Sequence, residues 1–337
     1  MKHFLSATAL SLALAGAASA ETVLTVANWL PPSHPLVSEV IVPMTEQIAA
    51  ATDGEVSANI LLAPLGPPGA HFDFAVNGVA DITFGVQGYN PGRFKTTNIA
   101  ELPFLGDSAE DVSVAYWRVF EDKLRAAGEY DGVKVLAVFT HGPGEIFLKS
   151  GDASSPDVLK GQKLRVGGGI VHEVATTLGA VPVEGPSSKA YELLSQGVAD
   201  GILFPYESVD FFKLIPQLSE GISVPGGLYN TSFYIVMNKA KWDSLTPEIQ
   251  AKIDSVTGEA LARMAGKMWD KVDAKGLAAM EGKITVTPAT DAQLSAWTEA
   301  LKPIVDAKLA EVGETGVDAQ AAYDMLKAEI AKEAAAE

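Results

Sequence analysis

The stretch Pro156–Gly169, PDVLKGQKLRVGGG, decides how the rest of the chain is read. QKLRV is a short, apolar-rich strand, GGG a tight turn, and the following IVHEVATTLGA a helix. Arg165 stands near the end of that strand. A guanidinium there can offer a rigid fork of donors to a carboxylate. Glycines after it let a ligand or another backbone come close. Taken alone, the unit admits two readings: an anion clamp, or a surface arginine in an ordinary strand–turn–helix crossover.

On either side the same grammar repeats. Upstream, ETVLTVANWL reads as a strand, HPLVSEVIVPMTEQIAAATDG as a helix stopped by Gly54, and EVSANILLA as a strand. A Pro/Gly loop, a short helix and the strand ITFGVQGY follow, then an amphipathic helix capped by Asp107 or Ser108, and the strand VKVLAVFTHG. Downstream come the strand AVPVEG, a capped helix and the strand before Pro205. After Tyr229 lie the strand SFYIVMNK, one long helical region from Thr246 to Met280, the strand KITVTPA and two closing helices. Strands alternating with helices of this length point to parallel α/β sheets covered by helices. The tetrapeptide Gly-Val-Ala-Asp occurs at 78–81 and again at 197–200, each time closing a helix and opening a strand. Chance aside, that suggests two α/β lobes of similar design meeting at a cleft.

The first twenty residues read as a secretory leader: MKH, an apolar run, then Ala18-Ser19-Ala20, with cleavage expected after Ala20. The chain has 337 residues, no cysteine and a formal charge of −17. Disulfides, thiolate chemistry and zinc–thiolate sites are excluded. The acidic balance disfavours nucleic acid and anionic membrane surfaces as partners, yet a buried arginine still acts locally on a small anion. Enzyme signatures fail on inspection. A G-x-G-x-x-G starting at Gly167 would need glycine where His172 stands, and His172-Glu173 does not complete H-E-x-x-H, because Thr176 occupies the last position. His34, His71, His141 and His172 show no metal-ligand spacing, and no cofactor motif is present. An exported two-lobed chain without a catalytic constellation points to a binding protein.

Three stretches carry a family resemblance. DVLKGQKLRV resembles the "D-L-K-G-x-K-I-R-V" strand of the DctP-type solute receptors of tripartite ATP-independent periplasmic (TRAP) transporters. AYELLSQGVADG is similar to their "Y-x-A-L-Q-Q-G-V-V-D-G" turn, and VMNKAKWDSLTPEIQAKI to the start of their long helix. The resemblance implies a two-lobed periplasmic binding protein of type II-like α/β fold. Its mixed sheets would be joined by crossing hinge strands, with a long helix spanning both lobes. The lobes are expected at 21–142 plus 232–270 and at 143–231 plus 271–337. It further implies a monomer that binds a small organic acid and docks, closed, on membrane permease subunits driven by an ion gradient. Arg165 becomes the ligand clamp. Such a buried cation must stay wet or be paired, which gives a physical reason for ligand-gated closure.

The chain departs from the family pattern beside that clamp. Phe204 stands where an asparagine contacting the carboxylate is usual, and FTHGPGEIFLKSG carries no second arginine. With Tyr206, Phe147 and Trp29, Phe204 suggests an apolar or aromatic ligand that could stack on a ring. Further candidates for the ligand site are Asn28, Trp29, Phe72, Gln87, Tyr89, Tyr206, Glu207 and Asn230, with Asp73 beside Phe72. Gly168 is expected to offer a backbone N–H, and Asn230 to replace the missing asparagine. Two rivals stand beside the receptor reading: a secreted α/β enzyme, and a receptor for another transporter or a signalling partner.

Overall fold

A computed structural model describes residues 21–336. The expected leader lies outside them. In chain order the first lobe begins with β1 (Thr22–Val26), α1 (Val42–Ala51), β2 (Val56–Ile60), α2 (His71–Val76), β3 (Ile82–Val86), α3 (Ala109–Val119) and β4 (Val133–Thr140). The chain then crosses to β5 (Glu145–Leu148), β6 (Lys163–Val166), α4 (Ile170–Thr177), β7 (Val181–Glu184), α5 (Ala190–Ser195), β8 (Gly201–Phe204), α6 (Tyr206–Phe211) and β9 (Glu220–Ser223). It returns as β10 (Ser232–Asn238), followed by α7 (Lys239–Asp243), α8 (Pro247–Asp254), α9 (Glu259–Met280), β11 (Thr285–Pro288), α10 (Asp291–Gly313) and α11 (Ala319–Ala334).

Two mixed sheets result, ordered β2-β1-β3-β10-β4 and β11-β9-β5-β8-β6-β7. In the first, β10 runs antiparallel to both β3 and β4; in the second, β5 runs antiparallel to both β8 and β9. The parallel sheets expected from the βα rhythm are therefore interrupted. The strands that cross between lobes arrive from the opposite direction, and no local pattern announces that. Position in the sheet follows composition. The largely apolar β3 and β10 are buried along their whole length, whereas Pro182 and Pro288 fall in the edge strands β7 and β11, where a missing N–H costs no ladder bond.

The repeated Gly-Val-Ala-Asp is one device used twice. Asp81 donates its N–H to the Thr25 carbonyl, and its carboxylate accepts the Thr25 N–H at 2.8 Å. Asp200 does the same with Lys163, at 2.7 and 2.9 Å. Each aspartate thus ties the strand it precedes to the neighbouring parallel strand, in the matching place of each lobe.

The lobes are joined by residues 141–144 and 224–231, which pair through Gly144 and Tyr229. The long helical region predicted from Thr246 is two helices, because the chain turns at 255–258. Helix α9, about 33 Å long at 1.5 Å per residue, packs on α3 and β4 of one lobe and α6 of the other. Two glycines let it sit so close. A Cβ on Gly266 would come within 2.4 Å of the Glu110 backbone, and one on Gly276 within 2.5 Å of the Tyr206 backbone. Helix α11, expected with the second lobe, lies on α3 of the first, because Glu329 and Glu333 both bind Arg118 at 2.7 Å.

Candidate functional site

Alternation along β6 sends Leu164 and Val166 into the core and Arg165 to the opposite face. Arg165 ends only 2% exposed. Its Nε and one Nη donate to the Gly185 carbonyl at 3.0 and 2.6 Å, and its guanidinium lies 4.4 Å above the centre of the Phe204 ring. No carboxylate among the described residues pairs with it. Burial pushes its pKa below the ordinary value, and the nearby Tyr89 and Tyr229 hydroxyls act in the opposite sense.

The guanidinium opens on a small cavity of about 50 Å³ between the lobes. Trp29, Tyr89, Phe204, Tyr229, Phe233 and Trp269 supply aromatic wall, and no Asp or Glu among the described residues lines it. Two histidines do, His34 and His141. Burial lowers their pKa values to about 3 and about 4, so both are neutral at physiological pH. Arg165 is thus the one charged lining group among the described residues.

The cleft is shut by backbone meeting backbone. Gly88 of the first lobe faces Gly168 of the second so closely that a Cβ on Gly168 would lie 2.6 Å from the Gly88 carbonyl oxygen. Beside that contact the Ser187 N–H donates to the Tyr89 hydroxyl at 2.9 Å. The buried Glu101 carboxylate accepts from Ser232 on β10 and from the Ile170 N–H at the start of α4.

Of the residues singled out by sequence, Arg165, Phe204, Trp29, Tyr89 and Gly168 line the cavity. Gly168 does so as the point of interlobe contact. The others are placed elsewhere. The Asn28 amide closes a turn on Leu30, giving and accepting one hydrogen bond. Phe72 is core, edge-on to Phe94, Tyr130 and Tyr234, and Asp73 pairs with Arg93. Gln87 donates to the Tyr116 and Tyr130 hydroxyls behind the wall. Tyr206 faces the rear of the hinge, its hydroxyl 3.5 Å from Glu145, with the buried Phe147 edge-on to its ring. Glu207 is buried, accepts the Ser208 hydroxyl and stands 3.8 Å from the His34 ring; burial raises its pKa to about 7. Asn230 is buried between two lining residues, its side-chain amide without a partner among the described residues. Sequence reasoning missed His34, Phe212, Tyr229, Phe233 and Trp269 as wall. Among the described residues no cluster of His, Asp and Glu could hold a metal ion, and no helix is long and apolar enough to cross a membrane.

Residues 26–311 match the family described as bacterial extracellular solute-binding protein, family 7, or DctP. The chain is a family 7 solute-binding protein. It is 30% identical over 324 residues, 95% of each chain, to the outer membrane transporter protein TsaT of Comamonas testosteroni. Among solved structures it resembles a TRAP periplasmic solute-binding protein of Bordetella bronchiseptica with bound (R)- and (S)-mandelate. The two are 38% identical with TM-score 0.89, over 92% of this chain and 99% of that one. A marine metagenome TRAP solute-binding protein from an unidentified microbe, specific for aromatic acid ligands and complexed with metahydroxyphenylacetate, is 32% identical with TM-score 0.86, over 93% and 99%. This solute-binding protein is thus a transport receptor and not an enzyme.

Proposed function

We propose that this solute-binding protein is a periplasmic receptor for an aromatic monocarboxylate, with Arg165 as the carboxylate clamp. The observation that carries the reading is the buried Arg165 guanidinium, without a carboxylate partner among the described residues, opening on an aromatic cavity that holds no other charge. One anionic group meets that cation; a second would be buried unpaired, at a cost of several kcal/mol. Trp29, Phe204 and Phe233 offer ring faces and edges to an aryl body. Relatives that bind mandelate and metahydroxyphenylacetate support the same class. Residues 1–20 act as a leader removed near Ala20. The mature receptor works as a single copy, since one chain supplies both walls of the cavity, and it hands its ligand to the permease of a TRAP transporter.

Titration calorimetry tests the reading. Benzoate and mandelate should bind, and succinate and glucuronate should bind far more weakly. Arg165→Ala should lose about 2–5 kcal/mol of binding, roughly 30-fold or more, while keeping its circular dichroism and melting transition. Wild-type affinity in that variant would remove Arg165 from the clamp, and equal affinity for succinate would overturn the single-anion reading.

A further inference from the structure

His141 sits where β4 leaves the first lobe, at the start of the hinge crossing. Its backbone N–H is bonded to the Thr231 carbonyl of the return crossing at 3.2 Å. Its ring lines the cavity, held edge-on by Tyr229, Phe233 and Trp269 with centroids 5.7, 6.3 and 6.0 Å away. The ring Nδ1 lies against the Gly142 carbonyl oxygen. A carbonyl oxygen only accepts, so Nδ1 carries the proton. With the ring neutral, Nε2 is then a bare acceptor, and no donor among the described residues is bonded to it.

The other polar side chains of the wall differ from this bare nitrogen: the Ser187, Thr231 and Tyr229 hydroxyls can donate as well as accept. The His34 Nδ1 accepts the Leu36 N–H, the Ser208 hydroxyl donates to Glu207, and Arg165 can only donate. Tyr229 neighbours both ends: its ring meets His141, and the Arg165 guanidinium acts on its hydroxyl. The cavity therefore offers an anion clamp beside one end of Tyr229 and an uncommitted acceptor beside its ring.

Resting on the reading of Arg165 as a clamp for an aryl carboxylate, we infer that His141 selects a hydroxylated one, its Nε2 accepting a hydrogen bond from a ligand hydroxyl. An acceptor buried among aromatic rings is costly when unmet. A site built to bond a ligand hydroxyl turns away the analogue that lacks it more strongly than an apolar pocket does.

The test compares dissociation constants of benzoate with those of 3-hydroxybenzoate, 4-hydroxybenzoate and mandelate, in the wild type, His141→Phe and His141→Gln. In the wild type at least one hydroxylated acid should bind about tenfold or more tighter than benzoate. His141→Phe should erase that advantage, bringing the ratio of the hydroxylated acids' dissociation constants to that of benzoate close to one. His141→Gln, which keeps an acceptor, should retain part of it. The inference falls if benzoate binds as tightly as every hydroxylated acid, if the advantage survives in His141→Phe, or if that variant weakens all four acids alike. Should His141→Phe fail to fold, nitrogen NMR of the wild-type ring decides. The Nε2 resonance should move upfield with a hydroxylated acid and stay in place with benzoate; equal shifts would overturn the assignment. Binding of no aryl acid at all marks instead the failure of the Arg165 reading.

Discussion

At the scale of single residues, a buried polar group is either used or costly. His71 is fully buried beside Phe74 and Phe84, and neither ring nitrogen has a hydrogen-bond partner among the described residues. Burial lowers its pKa to about 4 from 6.5. A histidine depressed in the folded state contributes stability above its unfolded pKa, and that contribution is lost as pH falls through 6.5 toward 4. His71→Phe should therefore melt at higher temperature near pH 7.5, by about 1–3 kcal/mol for the removed orphan N–H, and should lose less on acidification to pH 5. An unchanged acid limb would show that His71 is not held neutral by the core. The same logic explains what could be seen in the sequence around the site. Arg165 was legible because it sits in a specific motif, and Phe204 because it breaks one. Asn28 and Gln87 were misleading because a small polar side chain near a strand end serves a turn or a buried hydroxyl as readily as a ligand. Phe233 had a visible signal, since it shares its β10 face with Ile235 and Met237, but nothing local says that this face continues into a cleft.

At the scale of elements, the turn after β6 has a mechanical task that its neighbours do not share. Gly168 has φ of +85° and touches the Gly88 carbonyl, whereas a Cβ on Gly167 would find only ordinary contacts, 3.6 Å from Tyr89 and 3.7 Å from Arg165. Gly168→Ala should weaken ligand binding about 10- to 100-fold. The left-handed backbone alone costs roughly 1–2 kcal/mol, and the clash with Gly88 holds the lobes apart. Gly167→Ala, on the same loop and closer to the guanidinium, should stay within about threefold of wild type, as a change without strain does. Small-angle scattering with ligand present checks the cause: the Gly168 variant should contract less than the wild type. Equal contraction and equal affinity would mean that the two backbones can part without consequence. In sequence the three glycines announced close approach, but not to what, because the partner lies eighty residues upstream in the other lobe. The aspartate ties of residues 81 and 200 were visible as a repeat for the opposite reason. Each is complete within one α/β unit.

At the scale of the whole molecule, the two lobes share a belt of helices as well as their crossing strands. Helix α9 seats a glycine against each lobe, and α11 closes over α3 with Ala322, Leu326 and Ile330 buried. Arg118 and Arg263 link Glu259, Glu329 and Glu333 across three helices. Truncation after Val317 should cost the burial of Leu326 and Ile330, about 1.5–3 kcal/mol each, against a total stability on the order of 5–15 kcal/mol. Denaturant unfolding should show a clearly lower midpoint; an unchanged midpoint would make α11 an appendage. The two-lobed plan was readable from the βα rhythm and the repeat. The place of α11 was not, since its acidic partners Glu329 and Glu333 meet arginines on two helices far away in sequence, Arg118 on α3 and Arg263 on α9. The lone guanidinium has a consequence for the economy of uptake. A permease that accepts shut receptors cannot inspect what they carry, so an empty one that shuts would spend a stroke of the ion gradient on nothing. If stranding the Arg165 charge costs about 3 kcal/mol, empty shut molecules are rarer by a factor of roughly 100. On the reading of Arg165 as the clamp, one side chain without a carboxylate partner among the described residues would keep futile cycles scarce without any sensor in the membrane.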